Sequence, residues 1–311
     1  MANNGAHNTV TTEPLDRATP DVSLSVAGVA GVAPPNYTGD AFFDDFENGY
    51  AQETELFKWG SQVRASVSSE QALSGNQSLE FAYQATPLVE GNSPASWAEQ
   101  RFELKQNMTE LWIQHDLYIP ANHALRHVFD GSNYYAGGWK QMTVWADQYS
   151  TLGKPILIYG ALRQGRDADG PVAQDDKAYL DGTITTRNPE TNVRRYFQVP
   201  RVTAPPIIDP AVDSGHWQRR TYHYKMPTSE LSNDGVVEVW LQKNVEMETP
   251  LAIEKLVDIH NGNFYGGDSN YINRGYILGY VNEGYDEQTS YYVDNFALGP
   301  TAVSIGREDL V

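Results

Sequence analysis

The fold is decided by two neighbouring runs of the chain, GHWQRRTYHYK at residues 215–225 and NDGVVEVWL at residues 233–241. Side chains in these runs alternate with a period of two, which predicts β-strands with one face in a core. Val237, Val239 and Leu241 of the second run share one face, while Glu238 and Trp240 share the other. Asn-Asp-Gly between the runs favours a hairpin turn. Together the two runs predict an antiparallel hairpin.

Segments of the same kind follow one another from Phe42 to Leu298, separated by Gly, Pro, Asn and Asp residues. No long segment has an apolar period of 3.6 residues, so few and short helices are expected. Short alternating strands separated by turn residues are typical of an all-β sandwich or barrel. The other predicted strands are 42–46, 62–67, 78–83, 97–104, 110–119, 141–146, 155–162, 275–281 and 291–298.

The ends of this β region resemble the first and last strands of concanavalin-like (laminin-G-like) jelly rolls. They read FFDDFENG at 42–49 and SYYVDNFALG at 290–299. The hairpin resembles one of that fold, in which a Trp-led strand turns through Asn/Asp-Gly into a V-x-V-W strand. The resemblance covers residues 41–299 and implies an all-β, two-sheet antiparallel jelly-roll sandwich.

Two shorter motifs resemble the alginate- and glucuronan-lyase-like polysaccharide lyases of this fold. Gly137-Gly-Trp-Lys140 is similar to a Gly-Gly-Lys strand, and Phe264-Tyr-Gly-Gly267 is similar to a Phe-x-Gly-Gly segment before the closing strand. However, Trp139 interrupts the first motif, and the Tyr-x-Lys-x-Gly-x-Tyr strand of related alginate lyases is absent. The motifs therefore point to the fold more specifically than to an activity.

Several predicted strands carry aromatic and polar side chains on one face and aliphatic side chains on the other. Sugar rings pack their C–H faces on Trp and Tyr, and their hydroxyls bind amides and carboxylates. The alternative is that these are ordinary half-exposed strand residues, since Trp and Tyr favour strands. The candidate carbohydrate-binding residues are Trp112, Gln114, Asp116, Tyr118, Glu238, Trp240 and Gln242.

A lyase acting on a uronate neutralises the carboxylate, removes the C5 proton and protonates the leaving oxygen. The candidate catalytic residues, if the protein is a lyase, are Lys140, Arg219, Tyr222, His223 and Lys225. Alternation places Arg219, His223 and Lys225 on one face of a strand and Tyr222 on the opposite face. This division argues against all of them acting in one groove.

Asp167-Ala-Asp-Gly170 resembles the opening of a calcium loop, so Asp167 and Asp169 are candidate Ca²⁺ ligands. The closing Glu of an EF-hand is missing, and a solvated acidic loop is the alternative. The chain has no Cys, which excludes thiol catalysis and Cys-based zinc sites. No other cofactor is expected.

The chain is predicted to contain an N-terminal arm (1–40), a jelly-roll domain (41–299) with a long polar insertion (164–215), and a C-terminal tail (300–311). The arm is rich in small residues and predicts either a flexible leader or a strand that pairs with a neighbouring copy or capsid protein. An arm joined to a lectin-like body resembles the layout of phage decoration or fibre proteins. Neither a signal peptide nor a transmembrane segment is recognised, and a virion-surface or extracellular homo-oligomer is expected.

The formal net charge is −18, which argues against nucleic-acid and anionic-membrane partners. Residues 1–40 contain four acidic residues and one Arg, a net −3, so −15 belongs to residues 41–311. This charge favours neutral glycans or a protein lattice over acidic substrates. The predicted function is a non-catalytic surface or structural module with a carbohydrate-binding groove. The alternative is a polysaccharide lyase that cleaves a uronate-containing glycan by β-elimination.

Overall fold

The structure is a computed structural model. It describes residues 40–87, 94–129, 134–136, 138–147, 149, 155–162, 166–167, 170–171, 177–185, 194–197, 205–229, 232–264 and 270–311. All of the predicted arm except Asp40 lies outside these residues, and so does Asp169. The described strands, numbered β1 to β21 in chain order, form two large antiparallel sheets.

Sheet I has eight strands in the order β18-β17-β16-β7-β21-β4-β3, with β1 paired to β21. The first and last strands of the chain, β1 and β21, pair with each other, with Phe42 opposite Leu298, as the resemblance implied. Its strands are β1 (Phe42–Asp44), β3 (Ala65–Ser68), β4 (Ser78–Tyr83), β7 (Glu110–Tyr118), β16 (Trp217–Lys225), β17 (Gly235–Lys243), β18 (Glu254–Gly262) and β21 (Thr289–Gly299).

Sheet II has nine strands, of which seven run in the order β15-β14-β11-β10-β19-β6-β2, and β20 joins β10 to β5. The hairpin of β14 and β15 comes from the predicted insertion and extends the edge of this sheet. Its strands are β2 (Phe57–Val63), β5 (Ser96–Trp97), β6 (Glu99–Met108), β10 (Gly138–Trp145), β11 (Ile156–Leu162), β14 (Ala178–Thr185), β15 (Arg194–Phe197), β19 (Ile272–Ile277) and β20 (Tyr280–Val281).

Minor elements complete the described chain. They are the two-stranded pairs β8 (His127–Phe129) with β9 (Tyr134–Ala136) and β12 (Arg166–Asp167) with β13 (Gly170–Pro171), helix α1 (Pro210–Asp213), and two 3₁₀ turns (Val303–Ile305 and Glu308–Leu310). No helix among the described residues is long and apolar enough to cross a membrane.

The core lies between the two sheets and is rich in aromatic side chains. Phe57 of sheet II stacks on Phe42 of sheet I with 3.7 Å between ring centres, and Phe102 and Phe296 lie within 6 Å of Phe57. All four rings are almost completely buried. Burial of such large apolar areas is the main stabilising contribution to a sandwich without disulfides.

The central hairpin is confirmed, although its connection differs from the predicted turn. Strand β16 pairs with β17 from Gln218 opposite Lys243 to Lys225 opposite Val236. The connection is longer than a two-residue turn, and Asp234 anchors it by accepting hydrogen bonds from Thr228. The Asn-Asp-Gly segment therefore ends a loop instead of forming the turn alone.

Candidate functional site

The predicted carbohydrate-binding residues of β7 and β17 do share one face, the outer face of sheet I. The register places His223 of β16 between Trp112 and Glu238. In the same way Thr221 lies between Gln114 and Trp240, while Arg219 lies between Asp116 and Gln242. Tyr118 continues the row of β7 beside Trp217. The register therefore brings these side chains together on the outer face of sheet I, as alternation within each strand indicated.

The C-terminal tail covers much of this face. Ala302 and Ile305 pack against Trp112 and Trp240, and both Trp side chains are almost completely buried. Arg307 is also buried, and its Nη1 atom donates to Gln114 Oε1 at 3.0 Å and to Thr221 Oγ1 at 2.9 Å. The tail therefore covers Trp112 and Trp240 and bonds to the side-chain oxygen of Gln114, three of the residues that the sequence assigned to a sugar.

A charged network lies at the other end of the same face. The His223 ring stacks on Trp112, and its two nitrogens lie 2.7 Å from Glu238 Oε2 and 2.9 Å from Glu110 Oε1. Lys255 and His260 lie 2.8 Å and 3.1 Å from Glu238 Oε1. Three side chains here, those of Glu238, Asp258 and His260, offer ligand atoms that converge as in a metal site. However, the Lys255 ammonium binds the carboxylates of both Glu238 and Asp258.

Arg219 and Asp116 form a two-point ion pair on this face, with Nε–Oδ1 and Nη2–Oδ2 distances of 2.8 Å and 2.9 Å. Asn295 donates a further bond to Asp116 Oδ2. Since Asp116 is completely buried, this pair stabilises the packing of β7, β16 and β21. Gln242 donates to the carbonyl of Leu251, which joins it to a neighbouring loop.

The structure divides the predicted catalytic residues between three places. Arg219, His223 and Lys225 lie on the outer face of sheet I, and Lys140 lies on the outer face of sheet II. Tyr222 is completely buried between the sheets. These residues therefore do not form one site, as the alternation of β16 had indicated.

The candidate calcium ligands are placed only in part. Asp167 ends the short strand β12, and its backbone lies opposite Gly170 in β13. Asp169 lies outside the described residues. A calcium loop at this position stays a prediction.

Lys140 lies on the outer face of sheet II, just before a β-bulge. It follows Trp139, which points into the core, so alternation points Lys140 outward. The register shifts between Lys140 and Met142, where β10 pairs with β11, and this extra residue returns Met142 to the core. Its ammonium lies 4.4 Å from the centre of the Tyr280 ring, and Tyr280 stacks on Trp97.

Tyr276 lies beside Lys140 on this face, and Gly279 separates the two. A Cβ atom on Gly279 would be 3.0 Å from the Tyr276 ring and 3.4 Å from the Cβ of Lys140. Tyr276 also packs on Trp145 with 5.0 Å between ring centres. Burial raises the pKa of Tyr276 well above its usual value and lowers the pKa of Lys140.

Two arginines hold a second aromatic ring further along the face. The guanidinium carbons of Arg101 and Arg274 lie 4.5 Å and 5.1 Å from the centre of the Tyr149 ring. Glu99 accepts hydrogen bonds from Arg101 Nε at 2.5 Å and from the indole of Trp97 at 3.1 Å. Aromatic, cationic and acidic side chains thus lie on one surface, on which Tyr276 and Glu99 are almost completely buried and the other side chains are partly exposed.

We call this surface the sheet II face, which comprises Trp97, Glu99, Arg101, Lys140, Tyr149, Arg274, Tyr276 and Tyr280. Sequence analysis identified Lys140 in it through the Gly-Gly-Trp-Lys motif. It missed the tyrosines and arginines, although the predicted strand at 275–281 contains both Tyr276 and Tyr280. The Gly-Tyr pair that occurs twice in that segment, at 275–276 and 279–280, was the available signal.

Solved structures resemble the chain, whereas no protein-family model and no curated protein matches it. A mutant of the alginate lyase Aly36B in complex with alginate trisaccharide has a TM-score of 0.50 at 12% identity, covering 86% of this chain and all of its own. The alginate lyase vAL-1 from Chlorella virus has a TM-score of 0.46 at 10% identity, covering 79% and 93%. The CBM2 module of an evolved Dit protein of Lactobacillus casei BL23 phage J-1 has 0.38 at 11%, covering 84% and 96%.

At sequence identities this low, the similarity supports a conclusion about the fold alone. The chain is a concanavalin-like jelly roll built from two antiparallel sheets. An alginate lyase, a member of the class to which the sequence motifs were similar, is among the structures that resemble it.

Proposed function

We propose that the sheet II face binds a uronate-containing polysaccharide and cleaves it by β-elimination. The observation that supports this most directly is the half-buried amine of Lys140 beside Tyr276 and Tyr280. Removal from water disfavours the charged form of an amine, so burial lowers the pKa of Lys140. A larger neutral fraction makes this amine a more effective proton acceptor near neutral pH.

In the proposed reaction the neutral amine of Lys140 removes the C5 proton of a uronate unit. The electron pair of the C–H bond forms a double bond between C4 and C5, and the bond from C4 to the glycosidic oxygen breaks. Tyr276 donates its phenolic proton to the departing oxygen, since its raised pKa keeps it protonated until then. Solvent returns the proton from Lys140 to Tyr276, so no water, oxidant or reductant is consumed.

Neighbouring side chains supply the remaining requirements of this reaction. Trp97 and Tyr280 offer stacked rings on which the C–H face of a sugar can pack. Arg274 donates to the side-chain oxygen of Asn273, and among the described residues it has no carboxylate partner. Arg274 and Arg101 are the cations that we assign to the acidic groups of the glycan.

The second candidate function is non-catalytic carbohydrate binding. In this case the protein would be a module on a virion surface, as a capsid decoration or fibre protein. Mutual neutralisation of charges on sheet II favours it, because Arg101 of the sheet II face pairs with Glu99, and Lys58 of β2 lies 2.9 Å from Glu103 of β6. Such a face suits a neutral glycan better than an acidic one. Assembly through residues 1–40 stays a prediction, and deleting them tests it by the size of the oligomer.

Absorbance of the new double bond distinguishes the two candidates. The full chain is incubated with alginate, glucuronan and a neutral β-glucan, and binding is measured in parallel by calorimetry. A lyase gives absorbance that grows with time on an acidic polymer, whereas a binding module gives heat without absorbance. Lys105→Ala is the matched control, because this Lys bonds to Glu53 and is not among the residues that we assign to the reaction. Absence of absorbance on every uronate polymer would contradict the lyase.

Gly279→Ala is expected to lower kcat by about 10-fold at most while leaving the unfolding midpoint nearly unchanged. The added Cβ would lie 3.0 Å from the Tyr276 ring, so the ring must move by a few tenths of an ångström, and the loss stays below the roughly 10²-fold that misplacement by about 1 Å costs. The backbone at Gly279 does not adopt a positive φ, so the effect is steric. Steady-state kinetics and thermal unfolding check this result. Full activity in the variant would contradict the roles that we assign to Tyr276 and Lys140 in the reaction.

The pH dependence of kcat/KM is expected to report Lys140. A base acts when it is deprotonated, so the rate rises with pH through a pKa that lies below the usual value of Lys. The Glu99 carboxylate opposes this lowering, and Glu99→Gln therefore moves the rising limb to lower pH. Glu103→Gln is the control, since Glu103 pairs with Lys58. Equal movement in both variants, or movement of the Glu99→Gln limb to higher pH, contradicts the assignment.

A further inference from the structure

Tyr83 of β4 is a completely buried residue of sheet I whose hydroxyl bonds to groups of sheet II. The hydroxyl oxygen accepts hydrogen bonds from the indole nitrogen of Trp139 at 3.1 Å and from the backbone nitrogen of Gly279 at 3.2 Å. Its proton is donated to the carbonyl of Gly279 at 2.8 Å, and the carbonyl of Ala98 lies at 3.2 Å. A hydroxyl has one proton and two lone pairs, so these partners use its full capacity.

The three partners of this hydroxyl are chain neighbours of residues of the sheet II face. The neighbouring sets are Trp139 with Lys140, Gly279 with Tyr280, and Ala98 with Trp97 and Glu99. Tyr83 therefore bonds, from inside the sandwich, to the segments that carry the proposed base and the stacked rings on the outside.

The backbone at Gly279 is irregular, because the pairing of sheet II is interrupted there. The pairing of β19 with β10 ends opposite Met142, and the pairing of β20 with β10 begins opposite Trp139. Leu278, directly before Gly279, has a φ of 54°, which lies in the left-handed region that is unfavourable for a residue with a Cβ atom. Since both backbone groups of Gly279 bond to Tyr83, the hydroxyl holds this irregular segment.

The ring of Tyr83 is itself fixed by aromatic packing. Its centre lies 5.4 Å and 5.7 Å from the ring centres of Tyr285 and Tyr291. Burial raises the pKa of Tyr83, so the phenol keeps the proton that it donates. Replacement by Phe keeps the packing of the ring and removes only the hydroxyl.

We infer that Tyr83 is a positioning residue of the sheet II face, which holds Lys140 and Tyr280 in place through Trp139 and Gly279. The inference rests on the proposed function, because Lys140 is the base of that reaction and Tyr280 is one of its stacking rings. Proton removal requires the amine within hydrogen-bond reach of the C5 proton, whereas stacking on a ring tolerates a small displacement. Loss of the hydroxyl therefore affects kcat more than KM.

Tyr83→Phe is expected to lower kcat on a uronate polymer about 10-fold and to change KM by less than about threefold. Tyr224→Phe is the matched control and should match the wild type, because Tyr224 is also completely buried and its hydroxyl has no hydrogen-bond partner among the described residues. All chains are compared at a temperature at which circular dichroism shows them folded. A similar loss of kcat in Tyr224→Phe overturns the inference.

The Lys140→Met chain separates positioning from a general loosening of the fold. Tyr83→Phe should have little further effect on the residual rate of this chain, since the base that Tyr83 positions is absent. An equal loss in the Lys140→Met chain and in the wild type overturns the inference.

Amide hydrogen exchange followed by NMR tests the positioning without turnover. In the wild type the amide of Gly279 is expected to exchange at least about 10²-fold more slowly than a free amide, although it lies outside the strands. Tyr83→Phe should lose this protection, and Tyr224→Phe should retain it. Rapid exchange in the wild type, or equal protection in all three chains, overturns the inference. A wild type that cleaves no uronate polymer contradicts the proposed function alone, and exchange at Gly279 still decides whether Tyr83 holds this face.

Discussion

Lys140→Met is expected to lower kcat on a uronate polysaccharide about 10³-fold, within the range that general base catalysis contributes. Met keeps the length of the side chain but cannot accept the C5 proton. Binding of the polymer should weaken much less, because the aromatic rings of Trp97 and Tyr280 remain. Steady-state kinetics of the absorbing product and calorimetry of the bound polymer measure the two effects separately.

Tyr276→Phe completes this test, since it removes only the hydroxyl that we assign to the leaving oxygen. A similar loss of kcat is expected, and Lys105→Ala should match the wild type. The assignment of catalysis to the sheet II face is contradicted if Lys140→Met retains most of the activity while a substitution of His223 or Lys225 abolishes it. Catalysis would then belong to the outer face of sheet I.

Deleting residues 301–311 is expected to lower the free energy of unfolding by at least 3 kcal/mol. Complete burial of a side chain such as Ile305 contributes about 1.5–3 kcal/mol. The bonds of Arg307 to Gln114 and Thr221 contribute about 1 kcal/mol each. Urea unfolding followed by Trp fluorescence measures the change, since the deletion exposes Trp112 and Trp240.

Val303→Ala is the control for this deletion, because Val303 is half exposed and should be nearly neutral. An unchanged urea midpoint after the deletion would mean that the tail does not stabilise sheet I. Gain of glycan binding by the shortened chain would instead support the sequence prediction for Trp112, Trp240 and the residues around them. The deletion therefore examines both the stability of the tail and the binding capacity beneath it.

Period-two alternation predicted much of the fold because each strand has one face in the core. Leu111, Ile113 and Leu117 of β7 are buried between the sheets, as their alternation indicated. The resemblance of residues 42–49 and 290–299 to first and last strands gave the pairing of β1 with β21. The loop before Asp234 was not predicted, because the turn motif determines only local geometry.

The functional surface was harder to predict, since alternation separates two faces without indicating what covers each of them. Trp112 and Trp240 were assigned correctly to one face, but the segment that packs on them lies far along the chain, at Ala302 and Ile305. The bulge after Lys140 changes which side chains of β10 point outward, and no residue type in it signals a bulge. Pairing of β6 with β19, which places Arg101 opposite Tyr276, is likewise a long-range property.

The proposed function requires that the glycan bind to the sheet II face. A crystal structure of the Lys140→Met chain with a uronate oligosaccharide tests this requirement, because we expect the variant to bind the oligosaccharide without cleaving it. We expect sugar density across Tyr280 and Tyr276, with an acidic group near Arg101 or Arg274. Density on the outer face of sheet I, around Arg219 and Gln242, would contradict it.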